Sequence, residues 1–348
     1  MLIKLINKKG SGMNRWVVPC CFLFASILSS TNALAEEKND VDKAREALTK
    51  QDGDSDSAKQ LEEVFQAAEK NYSLLKTGKQ SLTYSFDYSY FGDQRFDIQI
   101  ENNSVRNLDV TPASTHSFTN SFSYDYGLLN NLTLSTRIPL SSKFDTQDEL
   151  SNTDIGDISF SLRWQPLAYV PGKPSLTLFS SFKTATGASP YEIDINRQLS
   201  SGSGTYSISG GVSSSKVIDP VVLFGSISLT YNFEAEDLNQ VRGGRLLNSV
   251  EQGYSISFSG GYSYSLSYDT SLSTSVQISY SDETTLKFSD GSAARAQDQV
   301  SSILNISLGT RISEKTIINT NVGFGLTEDS PDVLLGFSLP INLAGLKD

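Results

Sequence analysis

The chain has 348 residues, with 28 Lys+Arg against 39 Asp+Glu, one His and two Cys. A net charge of −11 argues against a nucleic-acid binder, which needs a basic field to meet phosphates, and so few His and Cys cannot assemble a His/Cys metal cluster. Only 38% of residues are hydrophobic although 15 Tyr and 18 Phe are present, and the longest apolar run, Trp16–Ile27, falls short of the roughly 20 residues of a membrane-spanning helix.

Residues 1–35 carry Lys4, Lys8, Lys9 and Arg15, then an apolar stretch, then Ala33-Leu34-Ala35 ahead of Glu36. A basic start, an apolar middle and a small-x-small site predict a secretory signal peptide, which reads equally well from Met1 or Met13. Cys20 and Cys21 both lie inside it and follow no lipobox-like Leu-x-x pattern. Removing it takes away four basic residues, shifts the net charge to −15 and leaves a thiol-free exported protein.

Residues 36–78 are charged and helix-friendly, with a break at 52–57 (DGDSDS). Ser57 and Gln60 fit a capping box. Leu61, Val64, Phe65, Ala68, Tyr72 and Leu75 then recur at helical spacing, so the segment is expected to be a periplasmic or plug helix. Its apolar stripe needs a partner: the lumen of the following domain, a second copy in a homo-oligomer, or a periplasmic protein.

From residue 79 onward the period is two. Residues 80–90 read QSLTYSFDYSY, with Leu82, Tyr84, Phe86, Tyr88 and Tyr90 on one face and Ser, Thr and Asp on the other. Twelve such segments are predicted, near 80–91, 116–126, 132–142, 156–167, 174–185, 204–215, 221–233, 253–266, 270–281, 300–312, 316–327 and 332–343. Their length suits tilted strands that cross a bilayer. Short links alternate with long polar ones such as 92–115, 234–253 and 282–299. That is the pattern of a Gram-negative outer-membrane barrel with periplasmic turns and extracellular loops. The expected fold is an all-β transmembrane barrel of about twelve antiparallel strands over 79–348, and the even strand count places both termini in the periplasm.

In such a barrel the apolar faces meet outer-membrane lipid. Tyr88, Tyr90 and Tyr231 fall near one end of their strands, and Tyr124, Tyr126, Trp164, Tyr262 and Tyr264 near the other, as two interfacial girdles. The opposite faces are rich in Ser, Thr, Gly and Asn, with charges at Asp87, Asp125, Arg137, Arg163, Lys183 and Arg311. Arg137, Arg163 and Lys183 could form a basic ladder that guides solutes. The favoured alternative is that the arginines pair with Asp87, Asp125 or the acidic plug segment and hold the interior together.

Catalytic constellations are sparse. The single His116 lies on the lipid-facing parity beside Phe118, so it reads as a girdle or loop residue and not as the base of a triad. The pairs Asp154/Asp157 and Glu234/Glu236 read as solvated rims, and Gly202-Ser203-Gly204 is too short for a phosphate loop. The expectation is no enzyme and no cofactor.

Three stretches add a resemblance. Residues 154–159 (DIGDIS), continuing to Leu162-Arg163-Trp164-Gln165-Pro166, resemble the strand-opening motif of the outer-membrane barrels labelled "MetA-pathway of phenol degradation". Residues 182–190 (FKTATGASP) resemble that family's strand-end segment, with Ala185 where Pro is usual, and 323–340 resemble its closing hairpin. The order of signal, helical segment and barrel is also similar to the secretion channels of bacterial functional amyloid, in which an N-terminal helix plugs the pore. These resemblances imply a gated channel or transporter for small solutes or an unfolded polypeptide, with amyloid-subunit export as one alternative. A structural barrel that binds partners or cations through its acidic loops is the other. The insertion machinery commonly reads a terminal aromatic residue. This chain runs on to Leu346-Lys347-Asp348, so Phe337 and Leu343 are the expected substitutes.

Overall fold

The computed structural model describes residues 74–341, apart from 102–103, 147–148, 169, 171, 195–196, 219, 243, 268 and 314–315; over 93–113 it describes the backbone alone. The signal peptide, the capping box, the stripe from Leu61 to Tyr72 and the tail with Leu343 lie outside these residues. The strands are β1 (Gln80–Glu101), β2 (Ser104–Leu129), β3 (Leu132–Asp145), β4 (Ser151–Ile155), β5 (Ser159–Trp164), β6 (Ser175–Lys183), β7 (Ser207–Ile218), β8 (Val221–Asn232) and β9 (Val241–Arg242). They continue as β10 (Arg245–Gln252), β11 (Ser255–Ser265), β12 (Thr270–Ser281), β13 (Thr284–Phe288), β14 (Ala293–Arg295), β15 (Gln299–Ser313), β16 (Thr316–Gly325) and β17 (Val333–Ile341).

Thirteen of these make the wall, with β4 and β5 together filling the place of one strand, so that the wall is twelve strands around. Each pairs antiparallel with its neighbours in chain order, and β17 pairs with β1, so the sheet closes as a twelve-stranded barrel. Closure pairs the wall all round except along β4, which pairs with β3 alone. The register holds each face together. Leu82 sits opposite Tyr124, Tyr84 opposite Phe122 and Tyr88 opposite Phe118, all facing out. A slip of one residue would turn every one of these side chains into the lumen.

Three expectations about the connections need correction. Residues 92–115 are not a loop. β1 and β2 stay paired from Gln80 opposite Tyr126 to Glu101 opposite Ser104, with one register shift at Gln99/Ile100. Beyond Tyr90 this hairpin runs for roughly 35 Å at about 3.4 Å per residue. Charged residues hid the strand in the sequence, but a ladder already started by the wall needs no apolar face to continue.

The second correction concerns the fourth wall strand, expected at 156–167. It is split into β4 and β5, which pair with the upper and lower parts of β3. Pro139 on β3 causes the split. Its carbonyl accepts from Gly156 N at 2.9 Å, so its missing N–H falls on the same side and the ladder cannot continue there. The third concerns 234–253 and 282–299. They carry a separate four-stranded sheet, β14-β13-β10-β9, beyond the ends of β11 and β12. Leu238, Leu247 and Val250 are buried at its centre, with Tyr191, Leu286 and Phe288 packed around them.

Candidate functional site

The site is the lumen and its two covers. By register, Asp87, Asp125, Arg137, Arg163, Lys183 and Arg311 alternate with the outward-facing apolar residues of their strands. Arg163 on β5 reaches across β3 to Asp125 on β2, at 2.6 Å, and its guanidinium also donates to Ser135 Oγ at 2.6 Å. The Ser135 hydroxyl donates to the same carboxylate. These side chains are 11% and 20% exposed, so the ion pair is largely out of water. Arg137 meets Asp87 more loosely, at 3.5 Å, with both side chains about half exposed (48% and 47%). Ser159 lies in direct register between Arg137 and Lys183, and Arg311 faces inward near the start of β16. The two arginines therefore pair with aspartates, which is the arrangement favoured over a free basic ladder.

On the outer face, the aromatic residues fall by register toward the two ends of the wall. Tyr88, Tyr90 and Tyr231 lie toward the long-loop end, and Tyr124, Tyr126, Trp164, Tyr262 and Tyr264 toward the short-turn end. His116 is also on this face. Its Nδ1 lies 2.9 Å from the Tyr88 hydroxyl, and its ring stacks on Tyr88.

At the long-loop end, the connection from β6 to β7 folds against the inner side of the wall. Inward-facing Asn152 donates to the carbonyl of Leu199 at 2.6 Å. At the β4–β5 break the freed backbone groups find side chains of this connection. Thr186 Oγ1 accepts from Ile158 N and donates to the Gly156 carbonyl, Thr184 Oγ1 donates to the Ile158 carbonyl, and Ser201 Oγ donates to the Ile155 carbonyl. Asp157 reciprocates: one oxygen accepts from Gly187 N at 3.1 Å, the other from Ser203 N and Ser203 Oγ, both at 2.7 Å. A Cβ on Gly187 would come within 2.7 Å of Gly202, so the two arms of the connection touch through bare backbone. Asp157, expected as a rim carboxylate, is thus the latch of an inward-folded loop, and Ser203 of the Gly202-Ser203-Gly204 fragment is its catch. Neither was visible in the sequence, because the latch works only once Pro139 has broken the ladder.

Asp157→Ala leaves two backbone N–H groups without acceptors, at a cost of about 1–3 kcal/mol each. The expected result is selective proteolytic cleavage within 184–206 while the barrel still resists heated detergent; an uncut loop would show that Asp157 does not hold it.

The outer sheet is tied by charge as well as packing. Lys287 Nζ lies 2.9 Å from Glu234 and 2.9 Å from Glu251. The Lys287 ammonium, then the hydroxyl of Ser249, hold the Glu234 carboxyl below the usual carboxylate range. Glu251 and Glu234 together hold Lys287 above the usual lysine range. Glu234 is therefore a lysine clamp and not a free cation ligand. Among the described residues, no group of three or more His, Cys, Asp or Glu is placed to hold a metal ion.

At the short-turn end, Lys79 N donates to the Lys76 carbonyl at 2.9 Å, closing a turn in which Gly78 has φ +74°. That conformation is open to Gly at little cost and reverses the chain sharply. Leu75 N then donates to Thr133 Oγ1 at 2.8 Å, and Thr133 faces the lumen with 0% exposure. Inward-facing Gly127 makes room, since a Cβ there would lie 2.2 Å from the Lys76 carbonyl oxygen and 2.7 Å from that of Leu75.

No family model matches the chain, so the likeness of 154–166, 182–190 and 323–340 to one barrel family remains a resemblance. Among solved structures, the COG4313 outer membrane channel from Pseudomonas putida F1 has a TM-score of 0.59 at 15% identity, covering 78% of this chain and 97% of that one. The translocator domain of the autotransporter NalP from Neisseria meningitidis aligns over 83% of this chain and 95% of its own, with TM-score 0.42 and 9% identity. The Pseudomonas putida toluene transporter TodX aligns over 76% and 89%, with TM-score 0.30 and 7% identity. At these identities the likeness concerns fold: the chain has the twelve-stranded β-barrel fold of an outer-membrane channel.

Proposed function

We propose that the protein is an outer-membrane channel that passes small polar solutes through a gated lumen, with its short-turn end in the periplasm. The observation that carries this reading is the inner face. It is built from Ser, Thr, Gly and Asn, and its Arg163 and Arg137 are neutralised by aspartates of the same wall. A wall of this kind suits hydrated, weakly charged solutes better than an ion-selective filter. Twelve strands lie between the filled eight-stranded barrels and the open sixteen-stranded porins, so the passage is modest in width.

Reconstitution tests the reading. Liposomes carrying the chain without residues 36–73 should swell in neutral sugars faster than liposomes carrying the full chain. Swelling by neither protein would refute a solute channel. Passage of an unfolded polypeptide in place of sugars would favour export. A second reading, a barrel that presents a surface for binding, draws on the outer sheet, whose Leu247 and Val250 core holds its shape independently of any solute path. Closed channels in both forms would favour it.

A further inference from the structure

We infer that the inner wall carries a solute-binding site, built by Asp87, Arg137, Asn321, Asn305 and Leu334, which takes neutral polyhydroxylated molecules of sugar size. The inference names the solute class of the proposed channel and rests on that reading for its consequence, though the binding itself does not.

The two inward ion pairs differ in kind. Arg163 and Asp125 are closed on each other and on Ser135, with little water. Arg137 and Asp87 stay 3.5 Å apart and about half exposed, so both keep hydrogen-bonding capacity to spare. By register their line crosses β2 at Ser121, between Thr119 opposite Asp87 and Ser123 opposite Arg137. Ser121 is fully buried, and its Oγ has no hydrogen-bond partner among the described residues. Neither charged group has therefore folded down onto the wall, and both stand toward the lumen.

Two amides stand beside this pair. Gly336 on β17 lies directly opposite Asn321 of β16 on one side and Asp87 of β1 on the other. The Cβ that Gly336 lacks would fall on the Asn321 carboxamide. The amide thus occupies that place, about 4.5–5.5 Å from the Cβ of Asp87, as cross-strand neighbours are. Asn305 on β15 repeats the arrangement one strand back, opposite Gly323, whose Cβ would lie 2.8 Å from Asn305 Oδ1. The same Cβ would lie 3.0 Å from Leu334 Cδ1, which puts one apolar side chain next to the amides.

Among the described residues neither amide makes a hydrogen bond, although each offers two donors and an acceptor. Elsewhere on the inner face polar side chains satisfy each other across strands, as Ser257 does with Ser279 and Ser273 with Ser263. The open groups match a ring of hydroxyls. The carboxylate accepts from a hydroxyl, the guanidinium donates to one, and each amide does both. The paired acid and base carry no net charge, which favours a neutral solute, and Leu334 suits the C–H edge of a ring. Convergent polar groups beside an apolar contact are the usual make-up of a small-molecule site.

The test uses the full chain in detergent micelles, titrated with glucose and read by saturation-transfer NMR. Glucose should bind saturably and more tightly than succinate. Asn321→Leu and Asp87→Asn should each raise Kd by about fivefold or more. Gly336→Ala should do the same with every polar group retained, because the new methyl displaces the Asn321 amide. Inward-facing Ser228→Ala, on β8 across the lumen, should leave Kd unchanged. Resistance to heated detergent identifies the variants that are folded. Non-saturable binding of glucose, tighter binding of succinate, or an unchanged Kd in the folded variants overturns the inference. Liposome swelling with the same proteins separates the two readings. Saturable binding without swelling keeps the site and removes the channel. Swelling in glucose without saturable binding keeps the channel and removes the site.

Discussion

Arg163→Met is expected to destabilise the folded barrel by about 3 kcal/mol, measured by urea unfolding in lipid vesicles. Removing one partner of a buried pair strands the other charge, and Asp125 would be left with only the Ser135 hydroxyl and little water. The lower end of the usual range applies because Asp125 keeps 20% exposure. Adding Asp125→Asn should recover most of the loss, since two uncharged side chains then face each other. A double variant as unstable as the single one would mean that the packing of the guanidinium, and not its charge, holds β2, β3 and β5 together. Arg137→Ala provides the contrast. Its partner Asp87 is half exposed at 3.5 Å and can rehydrate, so that substitution should change stability little.

The difference between these two arginines marks where sequence reading ends. Both were legible as inward-facing, because a period of two fixes the face of every wall residue once the apolar side is known. The twelve wall strands and the aromatic girdles followed from the same alternation, supported by short links at one end. Which arginine is buried depends on which aspartate the register brings alongside, and register is a property of pairing. Arg163 meets Asp125 only because Thr133 sits opposite both Arg163 and Gly127, which aligns three strands.

The long-loop end was harder to read for a related reason. Pro139 sits within an otherwise ordinary strand, and its effect is felt on the facing strand at Gly156–Ile158, where DIGDIS could be read only as a strand opening. The core of the outer sheet comes from residues far apart in sequence, Tyr191, Leu247 and Phe288, which only the β10–β13 pairing and the fold of the β6–β7 connection bring together. Periodicity within one segment cannot register such a meeting. The paired extension of β1 and β2 escaped for the opposite reason, because strand propagation there relies on the backbone.

Gly127→Val should open the channel without weakening the wall. The new side chain would project inward, where its Cβ meets the carbonyls of Lys76 and Leu75 at 2.2 and 2.7 Å, backbone atoms that can yield only by moving away. The wall itself keeps its bonds, since Gly127 N still donates to the Lys79 carbonyl and the register with Thr133 is unchanged. Valine also suits a strand better than glycine does. The expected outcome in planar bilayers is a rise of at least tenfold in the ratio of open to closed time, with an unfolding midpoint equal to that of the unaltered chain. Thr133→Val removes only the acceptor for Leu75 N, a loss of about 1 kcal/mol, and should shift the same ratio about fivefold. A graded series, with Thr133→Val below Gly127→Val, is the signature of residues 75–78 held in place by the inner wall. If both substitutions leave the currents unchanged in a folded barrel, the contacts of residues 75–78 with Thr133 and Gly127 do not restrict the passage.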